Sequence, residues 1–277
     1  MQAPYEQLVF SGGGLRCFWH GGWMAAVRER HSFAPERVTG VSGGALSAAA
    51  WIAGEESHLF DRFSRAVTNQ ESNATLTDLD AEDGRSPHQR VYEAIVADVI
   101  DAEAQARIAE GPAFQISVAT PGDGAGHVLK ALAAGTIYQA EQVVAPTPKP
   151  RLSALAGVEQ RLIDARRAAR DGVLADLIRM AATVPPAFRA DDWDGEPVFD
   201  GGMVDKAPRP EPDRGRTLVL LTKRFTSLPD DPDRVDYVQP SEAVLSGSKL
   251  DFTDPTLLRE AWDQGCSDGT AWLNEKT

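Results

Sequence analysis

The sequence predicts an open α/β fold, because two short apolar runs are each followed by a glycine-rich turn and then by helical spacing. Residues 6–10 form the first run and lead into the turn at residues 11–16. Residues 37–39 form the second run and lead into residues 40–44. Ligand sites in open α/β sheets lie at the carboxyl ends of the strands, so both turns are predicted to lie at such a site.

The remaining elements follow in chain order with weaker signals. Helices are predicted over residues 18–30 and 44–53, and residues 55–112 are polar and mostly helical in character, with 90–100 the best amphipathic stretch. Residues 68–89 are rich in Asn, Asp, Ser and Gly and are predicted to be a loop. Later predictions are strands at residues 114–118 and 217–222, a helix at 174–182 ended by Pro185 and Pro186, and a C-terminal helix at 255–274.

Composition excludes several classes of function. The 277 residues carry a formal net charge of −13 without a basic run, which argues against a nucleic-acid partner and against electrostatic attachment to anionic lipid. Any transient membrane contact is therefore expected through an apolar patch. Cys17 and Cys266 fit neither a disulfide framework nor a zinc site. No leader pattern or transmembrane stretch is evident, so a cytoplasmic location is expected, while the oligomeric state is left open.

Residues 40–44 read G-V-S-G-G, the nucleophile-elbow pattern when it stands between a strand and a helix. Gly40 and Gly44 lack a Cβ, so the backbone can turn tightly and expose the Ser42 hydroxyl. The helix that follows directs free N–H groups and a positive dipole end toward the serine. The alternative interpretation is a glycine-rich turn before a helix.

A serine nucleophile needs a base within hydrogen-bond reach. None of the five histidines follows Asp200, which is where the base of an α/β-hydrolase triad would stand. His127 is a weaker alternative, because a lone histidine is more often structural. Asp200 ends an apolar run and precedes Gly201 and Gly202, so it is the better candidate base, with an Asp-Gly turn as the alternative.

The glycine run at residues 12–14, the G-x-S-G-G at 40–44 and the D-G-G at 200–202 together resemble the patatin-like phospholipases. Residues 181–188 resemble that family's proline-ended helix ahead of the aspartate, and residues 237–265 resemble its closing strand and C-terminal helix. The resemblance covers nearly the whole chain. It implies a single acyl-hydrolase domain over residues 1–277, with a three-layer α/β/α fold, a mostly parallel central sheet and a helical cap region formed by residues 55–112 and 128–180.

The resemblance also implies roles for individual residues. Ser42 would be the nucleophile and Asp200 the base of a dyad that uses no histidine. The implied oxyanion hole consists of backbone N–H groups of Gly12, Gly13, Gly14 and Gly43, and the implied supporting residues are Arg16, Gly40, Gly44, Gly201 and Gly202. The implied substrates are phospholipid or other lipid acyl esters, and no metal or cofactor is expected, because no ligand set with metal spacing is evident.

Three residues depart from the family pattern. Cys17 stands where glycine is usual, and Asp205 and Lys206 stand where asparagine is often found; they bear on substrate choice. One competing interpretation is a dinucleotide-binding module, but the third glycine and the acidic residue of that fingerprint are missing. The other is a non-catalytic lipid- or acyl-binding relative of the same fold.

Overall fold

The computed structural model describes residues 3–68, 85–120, 147–148, 158–184, 188–229, 231–246 and 254–275. In chain order its strands are β1 (Gln7–Phe10), β2 (Arg37–Val41), β3 (Ala113–Thr120), β4 (Glu159–Asp164), β5 (Asp192–Trp193), β6 (Glu196–Pro197), β7 (Phe199–Asp200), β8 (Thr217–Leu220) and β9 (Val235–Val238). The α-helices are α1 (Phe18–Val27), α2 (Gly43–Ala53), α3 (Glu56–Thr68), α4 (Pro87–Val99), α5 (Ala102–Glu110), α6 (Ala165–Arg170), α7 (Leu174–Met180) and α8 (Thr256–Glu275).

Seven strands of the described chain form one mostly parallel sheet in the order β4-β3-β2-β1-β8-β9, with β7 paired to β3. β1 lies between β2 and β8, and Gln7 is in register with both Arg37 and Thr217. The pairs of β3 with β4 and with β7 are antiparallel. β1, β2 and β8 therefore end at the same edge of the sheet, and the segments that follow them meet there.

The central strands are mostly apolar and almost entirely buried because both faces of the sheet are covered. Leu8 and Phe10 of β1 belong to the main core, which the helices share. Val9 points to the opposite face and packs in a second cluster with Val219 and Phe225. Such near-continuous apolar runs are typical of strands in parallel sheets.

The C-terminal helix α8 packs along α1. The Trp19 indole Nε1 donates a hydrogen bond to Asp268 Oδ2 at 2.7 Å, and the rings of Trp23 and Trp272 meet edge to face at 5.2 Å. The end of the chain is thus anchored on the helix that follows β1. Among the helices of the described ranges, none offers an apolar stretch long enough to cross a bilayer.

The predicted elements are confirmed where the described residues include them, with shifted ends. The first helix was expected over residues 18–30, but it ends at Val27 and is preceded by a 3₁₀ turn over Gly14–Cys17. The loop predicted at 68–89 ends too late in the chain, because α4 already begins at Pro87. Ser86 caps this helix by accepting a hydrogen bond from Gln89 N. β4 was not predicted, since this edge strand is polar and only partly buried. Residues 69–84, 121–146, 149–157 and 185–187 lie outside the described residues.

His20 of α1 gives the fold a specific sensitivity to acid. Its imidazole is fully buried, lies edge-on to the Phe10 ring at 5.3 Å, and has its Nε2 3.2 Å from the Leu220 carbonyl. Burial lowers the pKa of His20 from its usual 6.5 to about 3. The folded protein therefore keeps this ring neutral at pH values where the unfolded chain protonates it, and stability is lost as the pH falls below 6.5 toward 3.

We predict that His20→Gln weakens this pH dependence. In the wild type, His20 should cost up to about 1.4 kcal/mol of unfolding free energy per pH unit below 6. Urea unfolding at pH 7, 5.5 and 4.5 should show a shallower decline in His20→Gln than in the wild type, whatever its stability at pH 7. His58→Gln, which removes a histidine from the surface instead of the core, is the matched control. An unchanged slope in His20→Gln would contradict the assignment.

Candidate active site

Ser42 lies in the turn between β2 and α2 with φ 54° and ψ −130°. Ser42 and Asp194 are the non-glycine residues with positive φ in the described ranges. A residue held in such a sparsely populated conformation costs on the order of 1–3 kcal/mol and persists only when its surroundings over-determine it. The predicted elbow geometry is therefore present at Ser42.

Gly44 is the residue that allows this turn to sit against the end of β1. A Cβ at Gly44 would lie 2.4 Å from both the Phe10 and the Ser11 carbonyl oxygens. No side chain fits in that space, because real Cβ contacts are essentially never below 3.0 Å. The start of α2 is thus pressed onto the loop that follows β1, and Ser42 is fixed between them.

The loop after β1 brings further backbone N–H groups to Ser42. Gly14 begins a 3₁₀ turn with Gly13 as its cap, and Gly43 is the first residue of α2. N–H groups in the first turn of a helix have no carbonyl partner within that helix. Gly13, Gly14 and Gly43 all line one cavity together with Ser42.

Gly12, also expected in this donor set, is engaged elsewhere. Its N–H donates to the Lys206 carbonyl at 3.1 Å, and its own carbonyl accepts from the Thr222 hydroxyl at 2.9 Å. Thr222 also fills the space beside Gly13, where a Cβ would come within 2.3 Å of its Oγ1. Lys206 and Thr222 therefore both hold the glycine loop in place, and the Gly12 backbone makes the hydrogen bonds that anchor it.

Asp200 ends β7 and lines the same cavity as Ser42. Its backbone N–H donates to the Thr183 carbonyl at 2.9 Å, and Val118 of β3 is its register partner. The carboxylate Oδ1 accepts from Gly202 N at 2.7 Å, which fixes the side chain against its own turn. Ser42 and Asp200 are both more than nine-tenths buried and both line the cavity.

The cavity that Ser42 and Asp200 share is mostly apolar. It contains about 920 Å³ of space, part of it open to solvent. Its non-polar lining includes side chains of α1, α2 and α3 and of the segment after α7, namely Phe18, Leu46, Leu59, Phe63, Ala182, Val184 and Phe188. A lining of this kind can accept a hydrocarbon chain beside a few polar groups.

Lys206 is the buried cation of this cavity. The point where Gly202 would carry a Cβ lies 2.9 Å from Asp200 Oδ1 and 3.0 Å from Lys206 Nζ, so the two charges flank Gly202. Burial lowers the pKa of Lys206, while the Asp200 carboxylate opposes that shift and Arg16 adds to it. Sequence reasoning noted the charge at Lys206 but not its burial next to Asp200.

Arg16 and Asp205 also have defined local contacts. Arg16 Nε donates to the Gly13 carbonyl at 3.3 Å, so this side chain contributes to ordering the glycine loop. The Asp205 carboxylate accepts from Ala207 N at 2.9 Å and caps its own turn. Cys17 lies in the cavity wall, with its Sγ 3.0 Å from the Cβ position of Gly43.

A histidine is the alternative base for Ser42. Of the histidines that the structure describes, none lines the cavity, while His127 lies outside the described residues. No group of His, Cys, Asp and Glu residues in the described ranges is arranged to hold a metal ion. Tyr92 of α4, which sequence reasoning missed, does line the cavity.

Comparisons with known proteins agree on the family and on the fold. The family model described as patatin-like phospholipase matches residues 8–212. Among solved structures, the fold is similar to that of VipD from Legionella pneumophila, with a TM-score of 0.51 and 12% sequence identity over 99% of this chain and 67% of that chain. At this identity the likeness to VipD concerns the fold alone. No curated protein sequence matches the chain.

We predict that Gly44→Ala disables the site. The added Cβ must push α2 away from the end of β1, and a displacement of about 1 Å at Ser42 can lower turnover by about 10²-fold. Ester hydrolysis by the purified variant measures the loss.

Gly54→Ala, at the other end of α2, is the matched control. Gly54 has φ 74° and open space around it, so alanine there should cost about 1–2 kcal/mol of stability through backbone strain and leave turnover unchanged. Normal turnover by Gly44→Ala would mean that α2 can shift without moving Ser42.

Proposed function

Because the chain belongs to the patatin-like phospholipase family, we propose that it hydrolyses lipid acyl esters with Ser42 as nucleophile and Asp200 as general base. The observation that carries this proposal is the shared cavity: a serine held in a strained elbow and a buried carboxylate both line one apolar space. The proposed reaction passes through an acyl-enzyme, which water then hydrolyses.

In the first half of the proposed reaction, Ser42 Oγ attacks the acyl carbon and its proton passes to Asp200. Negative charge develops on the carbonyl oxygen and is stabilised by the N–H groups of Gly13, Gly14 and Gly43. Preorganised donors of this kind are each worth about 10²–10³ in turnover. Asp200 then returns the proton to the departing alcohol, and in the second half it activates water by the same route.

The lining of the cavity supports a lipid acyl chain as the substrate's non-polar part. Leu46, Leu59 and Phe63 surround the space next to Ser42. Val184 lines the same cavity and is 42% exposed, which supports an apolar mouth where a lipid could enter from a membrane or micelle.

We further propose that residues 1–277 form one hydrolase domain. The family match ends at residue 212, but β8 and β9 extend the same sheet beyond it. Helix α8 packs on α1, inside the matched region, through the Trp19–Asp268 hydrogen bond. The C-terminal segment therefore completes the core of the matched part.

We predict that Ser42→Ala and Asp200→Asn each lower ester hydrolysis by at least about 10³-fold, since a nucleophile and its base act as a unit. Asp200→Asn is a conservative test, because an amide oxygen can still accept from Gly202 N while the basic carboxylate is lost. The measurement is turnover of p-nitrophenyl acyl esters over a series of chain lengths, and the optimum reports the size of the acyl pocket.

His127→Ala is the control in that series and should hydrolyse the esters at nearly the wild-type rate. An inactive His127→Ala together with an active Asp200→Asn would replace the dyad with a histidine-assisted mechanism. Binding of fatty acid without hydrolysis of any ester would instead favour a non-catalytic lipid-binding relative.

A further inference from the structure

Tyr92 is a buried tyrosine in the wall of the candidate active site. It lies on α4, and its ring packs between those of Phe63, at 6.2 Å, and Phe188, at 5.9 Å. Only 6% of the residue is exposed, and it lines the cavity that Ser42 and Asp200 share. These ring contacts hold the Tyr92 side chain, and with it the hydroxyl, in one position.

The Tyr92 hydroxyl has no hydrogen-bond partner among the residues that the structure describes. A buried polar group without a partner is destabilising, and the great majority of buried polar side-chain atoms avoid it. Phenylalanine would keep the ring contacts without this cost. A buried, unpaired donor in the wall of a ligand cavity indicates that the ligand supplies the missing acceptor.

The Tyr92 hydroxyl belongs to a residue that shares its cavity with the groups that react. Tyr92 lines the same space as Ser42 and as Asp200, which handles the proton in the proposed reaction. Burial raises the pKa of Tyr92 above its usual range, and Asp200 and Cys17 raise it further. The hydroxyl therefore keeps its proton at neutral pH and acts as a hydrogen-bond donor.

We propose that the Tyr92 hydroxyl donates a hydrogen bond to the leaving-group oxygen of the ester, and this inference rests on the proposed function. The N–H groups of Gly13, Gly14 and Gly43 serve the carbonyl oxygen, whereas the other ester oxygen must face Asp200 to receive its proton. Tyr92 of α4 lines the cavity that would hold both oxygens, and this proposal makes it a further catalytic residue.

The step balances without any added reactant. Ser42 Oγ forms the new bond to the acyl carbon, and its proton moves to Asp200. The bond from the acyl carbon to the leaving oxygen then breaks, and the electron pair stays on that oxygen. Asp200 returns the proton to it, while Tyr92 stabilises the developing charge and keeps its own proton.

The test compares Tyr92→Phe with the wild type on esters that share one acyl chain and differ in the leaving alcohol. Stabilisation of the leaving oxygen matters most when that oxygen is basic. We expect kcat/KM to fall by about 10²-fold for an alkyl ester, the scale of losing one hydrogen-bond donor to a developing negative charge, and by only a few-fold for the p-nitrophenyl ester. Tyr237→Phe, at a half-buried tyrosine of β9 outside the cavity, should leave both rates unchanged.

Folding is a separate readout, because Tyr92→Phe removes an unpaired buried hydroxyl and keeps the ring. Its thermal midpoint should equal or exceed that of the wild type. Equal losses on both esters would overturn the proposal, since the hydroxyl would then act on the carbonyl oxygen or on Asp200. No loss on either ester would overturn it as well.

Failure of the underlying function has a different signature. In that case the wild type and Ser42→Ala would hydrolyse both esters equally slowly, and the role of Tyr92 would fall with the proposed function. A different set of results would reject the Tyr92 proposal alone. The wild type would then be active, Ser42→Ala would be inactive, and the loss of activity in Tyr92→Phe would not depend on the leaving group.

Discussion

The close approach of α2 to the end of β1 is the constraint on which the site depends. At Gly44 the helix backbone lies against the Phe10 and Ser11 carbonyls, closer than any side chain would allow. Ser42, two residues before Gly44, has a positive φ in this turn, and Gly43 at the start of α2 lines one cavity with Gly13 and Gly14. The strained turn costs free energy. The stability of the sheet, whose central strands are almost entirely buried, offsets this cost.

The parallel sheet explains why distant segments converge. β1, β2 and β8 end at one edge, so the glycine loop and the elbow meet Thr222, which lies 210 residues beyond Gly12 in the chain. The antiparallel pairing of β7 with β3 delivers Asp200 to the same edge. The result is a mostly apolar cavity in which the few polar groups are individually positioned, and this balance suits an acyl ester better than a nucleotide.

Local sequence patterns were enough to predict the turns of the candidate site. Glycine spacing indicated the elbow at Ser42 and the turns at Gly13 and at Asp200, because each turn is defined by its immediate neighbours, whereas the catalytic roles of these residues were implied by the family resemblance and stay predictions. Long-range contacts could not be predicted in this way. The Gly12 N–H is not free, because it donates to the carbonyl of Lys206, which is distant in the chain. Tyr92 reaches the cavity only because α4 packs onto α3 and α7. The amphipathic pattern of α4 predicted its helix but not the position of that hydroxyl.

The central claim is that Ser42 is the nucleophile, activated by Asp200 in a largely apolar cavity. The most direct measurement is labelling of the intact protein with a long-chain fluorophosphonate, followed by mass mapping of the modified peptide. The account predicts one adduct on Ser42, formed in the wild type and in His127→Ala and strongly slowed in Asp200→Asn. Two results would contradict the account. One is a wild type that hydrolyses esters but carries its adduct on another residue. The other is an Asp200→Asn variant that is labelled as fast as the wild type.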